Sequence, residues 1–268
     1  MGAVLLDIDG VLVLSGVAIP GAPEAVRQLR EDGHRLHFVT NNTIRARARL
    51  ADELGAAGFD LAEDEIETTP LAAGRLLAGK RVLPLTARAI HADLERFVTF
   101  ADRNVEVVLV GGAEETDETA RIYAYDALNR AFAELERGAR LVALHKNRWW
   151  QTAEGPKLDG GAFVAALEYA AGVEAEVVGK PNRAYFEAAL AALDVPAGEA
   201  TMVGDDVETD VGAAIGLGLR GVLVRTGKFR EESLAAADPK PDGVIDSVSD
   251  LAEWLSSGQV RPVDEIEA

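Results

Sequence analysis

Short apolar runs that each end on polar or acidic residues, with segments of helical period between them, constrain this chain more than any other feature. Ala3-Val4-Leu5-Leu6 runs into Asp7, and Arg35 to Val39 runs into Thr40-Asn41-Asn42. Ala175 to Val178 precedes Gly179-Lys180-Pro181, and Ala200 to Val203 precedes Gly204-Asp205-Asp206. Runs of this kind suit strands buried on both faces, and helical connections are what parallel strands require. Glu24 to Arg30, Arg45 to Ala57 with Gly58 as its stop, Tyr185 to Leu193 and Asp210 to Leu217 are the predicted helices, and Gly221 to Val224 is one more strand. The fold class is α/β, with one βαβα unit at each end of the chain.

Between the two halves lie roughly a hundred residues with signals of their own. Val82 to Leu85, Val105 to Val110 and Arg140 to Leu144 read as strands, and Glu118 to Glu136 as one helix. The expected organisation is a core made of residues 1–79 and 175–257, an inserted α/β domain over 80–174, and a polar, acidic tail over 258–268 that frays.

Charge narrows the partners. The formal net charge is −18, which argues against nucleic acid and against an anionic membrane surface. Six lysines stand against twenty-one arginines, and acids are spread through most segments, a solvated surface suited to a salty cytoplasm. There is no cysteine, so disulfides, thiolate nucleophiles and thiolate-bound zinc are out. His34, His37, His91 and His145 lack zinc-site spacing. No leader-like stretch and no long apolar run is found, which makes the cytoplasm the expected location.

In an open parallel sheet, ligands bind beyond the carboxyl ends of the strands. Here those ends carry Asp7 and Asp9, then Thr40, Asn41 and Asn42, then Lys180, then Asp205, Asp206 and Asp210. Crowded carboxylates raise one another's pKa unless a cation neutralises them, and oxygen ligands suit a hard divalent ion such as magnesium. Lys180 would add positive charge for a dianionic phosphate, while Thr40 and Asn41 would donate hydrogen bonds to its oxygens. Any one Asp after a strand is more often a helix cap or turn former, and Thr-Asn-Asn alone could cap a helix. The ordered set is what points to chemistry.

Asp7-Ile8-Asp9-Gly10-Val11, Val39-Thr40-Asn41-Asn42, Gly179-Lys180-Pro181 and Gly204-Asp205-Asp206 with Asp210 resemble the four ordered motifs of the haloacid dehalogenase superfamily. The likeness runs from Ala3 to about Leu255. The insertion between the second and third motifs is similar to the class II cap of the subfamily of nitrophenyl, ribonucleotide monophosphate and pyridoxal phosphatases. His145 to Pro181 resembles most the branch of the phospholysine phosphohistidine inorganic pyrophosphate phosphatases. The resemblance implies a Rossmann-like doubly wound core and a magnesium-dependent phosphatase acting on a small phosphorylated metabolite. It implies Asp7 as nucleophile, Asp9 as general acid and base, and Lys180 as charge stabiliser. Substrate contacts would come from Thr40, Asn41, Asn42 and Lys180. The metal would be held by Asp7, the Asp9 main-chain carbonyl and Asp205, with Asp210 in support and Asp206 undecided. A homodimer through the cap is also implied.

Trp149 and Trp150, in a predicted loop with Lys146, Asn147 and Arg148, either select the leaving group, as a cap loop does in the resembling family, or pack within the cap or at a dimer contact. Asp159-Gly160-Gly161 reads as a hinge and helix start, and His145 as structural. Three rivals stand beside the phosphatase. Carbon–halogen hydrolysis uses the aspartate without a metal and has no need of Asp9 or Asp205. A phosphomutase would carry a different cap. A non-catalytic binding or regulatory protein is expected to lack one of Asp7, Asp9, Lys180 or Asp205, and all four are present.

Overall fold

Five consecutive buried residues, Ala3 to Asp7, have no solvent-facing side, so they fit only a strand covered on both faces. In the computed structural model, which describes residues 2–114, 116–152 and 155–257, this strand lies inside a parallel sheet. The strands in chain order are β1 (Ala3–Asp7), β2 (Val13–Leu14), β3 (Val17–Ala18), β4 (Arg35–Thr40), β5 (Ile66–Thr68), β6 (Arg81–Leu85), β7 (Thr99–Phe100) and β8 (Val107–Val110). They continue as β9 (Arg140–Ala143), β10 (Trp149–Thr152), β11 (Gly155–Leu158), β12 (Glu176–Val177), β13 (Ala200–Gly204), β14 (Arg220–Val224) and β15 (Gly243–Ile245).

Among the described residues the chain divides into two compact units, one drawn from 2–40, 48–67 and 180–257, the other from 41–47 and 68–179. In the first, the strand order is β15-β14-β13-β1-β4-β5, and β1 runs parallel to both β13 and β4. One buried cluster, with Leu6, Ile8, Leu29, Phe38, Leu54, Val203 and Val222, fills this unit. The helix Ala22–Glu31 contributes Ala22, Val26 and Leu29 to it, as its four- and three-residue apolar spacing predicts. The second unit holds a five-stranded sheet, β12-β9-β8-β6-β7, parallel at each pairing, and a core around Val108, Val110, Leu141 and Val164. Among the described residues no helix is long and apolar enough to cross a membrane.

The structure corrects several sequence expectations. Ala175 to Val178 does not open the returning core half: Glu176 and Val177 pair with Val142 and Ala143 as the edge of the second sheet. A two-residue strand carries no pattern that says which sheet it joins. The helix expected over 118–136 is two helices, Asp117–Ile122 and Tyr125–Glu136. Tyr123 breaks it, because its hydroxyl donates to the Gly111 carbonyl at 2.7 Å and its ring stacks on Phe163 at 3.8 Å. Trp149 and Trp150 lie in strand β10 of a hairpin, Trp149 opposite Leu158, and not in a loop. The tail expected to fray, 258–268, lies outside the described residues.

Candidate active site

Register brings the chemistry together. Leu6 pairs with Val203 and Asp7 with Val39, so the last residue of β1, the first residue after β13 and the last residue of β4 share one edge of the sheet. These are Asp7, Asp205 and Thr40, the side expected for ligands in a parallel sheet.

Asp210 arrives by a different route. The Asp206 side chain caps the turn that follows β13, its Oδ1 accepting from the main-chain N–H groups of Glu208 and Thr209, both at 3.0 Å. The segment Val207–Gly212 then winds as a π-turn, with Val211 N–H bonding five residues back to the Asp206 carbonyl at 3.2 Å, before the helix Ala213–Gly216. One regular helix from Asp210 to Leu217 was expected, and the wider turn is the correction. It leaves Asp210 buried, with Oδ1 2.7 Å from Lys180 Nζ.

Lys180 follows β12 in sequence yet belongs to the first unit, and its ammonium also donates to Asp7 Oδ1 at 2.7 Å. Asp7 and Lys180 are each only 5 % exposed. Asp7, Asp205 and Asp210 can present carboxylate oxygens within 4.8 Å of one another. Three carboxylates face one buried ammonium, and even with the exposed Lys228 ammonium acting on them from outside the cluster keeps an excess of negative charge. Burial pushes the Asp7 carboxyl well up, Asp210 and Asp205 push it further, and Lys180 opposes them. Burial, then Asp210, pushes Asp205 up to about 6. Burial alone would lower Lys180, but Asp210 and Asp7 outweigh it and hold the ammonium charged.

The donor set fits a hard divalent cation on a specific observation: Asp205 Oδ1 is buried and makes no hydrogen bond among the described residues. Such a group costs about 1–3 kcal/mol unless something occupies it. An all-oxygen set with excess negative charge suits magnesium better than a soft metal.

The remaining expected residues are placed less uniformly. Asp9 is exposed, and the Thr40 hydroxyl donates to its Oδ2 at 3.4 Å. Asn41 and Asn42 group with the second unit. Asn42 Oδ1 accepts from the N–H groups of Ile44 and Arg45, so its amide oxygen closes a local turn. Trp149 is 53 % exposed, and the Trp150 side chain lies outside the described residues. Asp159 starts the helix Gly160–Ala171 as its cap, accepting from Gly160 N–H, and also holds Ala113 N–H, while His145 Nε2 stands 3.5 Å away.

Sequence reasoning missed Tyr185. Its buried hydroxyl accepts from Thr40 N–H at 2.9 Å and lies 2.8 Å from the Glu67 carbonyl, fixing the end of β4. It read only as a core position of the helix Arg183–Leu193. Lys228 was missed as well: its main-chain N–H donates to Asp205 Oδ2 at 2.8 Å, a contact with no local sequence signal.

Comparison with known proteins identifies the family. A family described as haloacid dehalogenase-like hydrolase matches residues 4–99, and a related HAD-hydrolase-like family matches residues 177–251. The human phospholysine phosphohistidine inorganic pyrophosphate phosphatase is 37 % identical over 261 residues, covering 94 % of this chain and 93 % of that protein. The p-nitrophenyl phosphatase of Archaeoglobus fulgidus superposes with a TM-score of 0.86 at 29 % identity, covering 94 % of this chain and 98 % of that one. The glycerol phosphate phosphatase of Mycobacterium tuberculosis, solved in complex with magnesium, superposes with a TM-score of 0.83 at 27 % identity, covering 93 % and 76 %. With the matched segments together covering more than half of the chain and a relative 37 % identical across 94 % of it, the chain belongs to the haloacid dehalogenase-like hydrolases.

Proposed function

We propose that this enzyme, a phosphatase as its relatives are, hydrolyses a small phosphate monoester, pyrophosphate or phosphoamidate with magnesium through an aspartyl-phosphate on Asp7. The observation that carries the reading is the buried cluster of Asp7, Asp205 and Asp210 beside the buried Lys180 ammonium, with Asp205 Oδ1 making no hydrogen bond among the described residues. Asp7, Asp205, Asp210 and the Asp9 main-chain carbonyl would hold the cation. When bound, a divalent ion neutralises charge on the transferring phosphoryl group.

This chain's own residues do the rest. An Asp7 oxygen attacks phosphorus, and the bond from phosphorus to the leaving oxygen breaks. Asp9, held by the Thr40 hydroxyl and open to solvent, gives its proton to that oxygen and next takes a proton from the attacking water. The water oxygen bonds to phosphorus, the Asp7–phosphorus bond breaks, and inorganic phosphate leaves. Lys180 holds a fixed positive charge beside Asp7 throughout. We read the second unit as a class II cap on which substrate choice depends, with Asn41, Asn42, Trp149 and Trp150 as substrate-contact candidates. Cytoplasmic residence and pairing through that unit follow the same resemblance.

The test is phosphate release from p-nitrophenyl phosphate and a panel of metabolite phosphates, with magnesium or with chelator. Asp7→Asn should remove turnover while the fold stays intact, because the amide keeps the shape and loses the nucleophile. Substantial residual activity in that variant would exclude the covalent route.

A further inference from the structure

The Asp205 carboxylate is held from two sides. The β13 strand lies between β1 and β14, so the loops leaving those two neighbours flank the residue that follows it. From the β1 side comes Gly10, and from the β14 side come Thr226, Gly227 and Lys228.

Both glycines have left-handed backbones, with φ of 87° at Gly10 and 66° at Gly227. A Cβ added at either would lie 2.0 Å from the same atom, Asp205 Oδ2. A Cβ at Gly227 would also come within 2.8 Å of Gly10 Cα, so the two loops touch without side chains between them. Lys228 N–H donates to Oδ2 at 2.8 Å, and the Thr226 hydroxyl donates to the Gly10 carbonyl, tying the β14 loop to the turn after Asp7. Oδ2 is therefore wedged and filled, while Oδ1 is buried and unpartnered.

We infer that Thr226 and Gly227 are positioning residues that fix the Asp205 carboxylate so that one oxygen is committed to the protein and the other is kept for the cation. Lys228 contributes its main-chain N–H to this role, and its ammonium, 3.8 Å from Asp206 Oδ2, adds positive charge beside the cluster. The inference rests on the magnesium reading above and goes beyond it in naming what orients the ligand. Partners that orient a metal ligand change metal affinity by about 10–100-fold when removed. Gly227 acts by exclusion: any side chain there must displace the carboxylate or part the two loops.

Magnesium affinity of the purified, metal-stripped protein, measured by calorimetry, tests this without reference to turnover. Wild type and Asp205→Asn set the scale. Gly227→Ala should bind magnesium about 10–100-fold more weakly than wild type, and Thr226→Val about tenfold more weakly. Thr226→Ser, which keeps the donor, should restore affinity to within about threefold of wild type. A merely structural role would lower the urea midpoint of the metal-free variants and leave their magnesium affinity unchanged. If wild type binds and Asp205→Asn does not, yet Thr226→Val and folded Gly227→Ala bind as wild type does, the positioning role is overturned and the metal reading survives. If wild type binds no magnesium, both fall. Should Gly227→Ala fail to fold, the Thr226→Val and Thr226→Ser pair decides alone.

Discussion

Replacing Lys180 with methionine keeps the length and most of the volume of the side chain and removes one charge. The ammonium lies 2.7 Å from both Asp7 Oδ1 and Asp210 Oδ1, and all three side chains are less than a tenth exposed. At an effective dielectric of about 20, each contact is a gross attraction of about 6 kcal/mol. Desolvation of each buried ion offsets several kcal/mol of that, so removing one partner of such a cluster leaves a net loss of about 3–5 kcal/mol. The loss has a pH signature. Burial already holds the Asp7 carboxyl above its ordinary value, and Lys180 is what opposes that rise. Without Lys180 the folded pKa rises further above the unfolded value, and for a raised group stability is full below the unfolded pKa and is lost as pH rises through the folded one. Lys180→Met should therefore be most destabilised at neutral and higher pH and approach wild type towards pH 4, where the carboxylates take up protons. Urea unfolding of the metal-free proteins at several pH values measures this, with added magnesium recovering part of the deficit at neutral pH. A deficit below about 1 kcal/mol at neutral pH, or one that grows on acidification, would refute the charge argument.

Magnesium affinity should itself depend on pH. The Asp205 carboxyl is raised to about 6 and the Asp7 carboxyl is raised as well, and a cation displaces their protons, so calorimetric affinity should weaken at least about tenfold per unit below pH 6; equal affinity at pH 5 and 7 would contradict this. Tyr185→Phe removes the acceptor for Thr40 N–H and should lower stability by about 1–3 kcal/mol in urea unfolding, with a fall in kcat because Thr40 holds Asp9. A variant as stable and as active as wild type would show that the Tyr185 hydroxyl does not fix the end of β4.

Much of the site was legible in the sequence because a parallel sheet puts its chemistry at strand ends, and strand ends can be read from apolar runs. Asp7, Thr40 and Asp205 sit where Ala3 to Leu6, Arg35 to Val39 and Ala200 to Val203 placed them, and register alone aligns them. Lys180 was legible as part of the ordered set but not by its stated reason: the strand before it belongs to the other sheet, and it is the chain after Gly179 that delivers the ammonium to Asp7. Local periodicity has no means of reporting such a handover. Asp210 was named, yet its placement depends on the π-turn that Asp206 caps, a deviation of one residue in hydrogen bonding that no apolar pattern records.

By itself the sequence determined the α/β class and which strand ends carry carboxylates, a hydroxyl and an ammonium, because burial on both faces, helical period and strand-end composition are local properties. Only the tertiary structure decided which sheet received β12, where the helix before Glu136 broke, and that Tyr185, Thr226, Gly227 and Lys228 stand behind the site. Those facts come from contacts between segments up to about two hundred residues apart, such as Thr226 with Gly10, where a side chain's role is set by its neighbour across the fold.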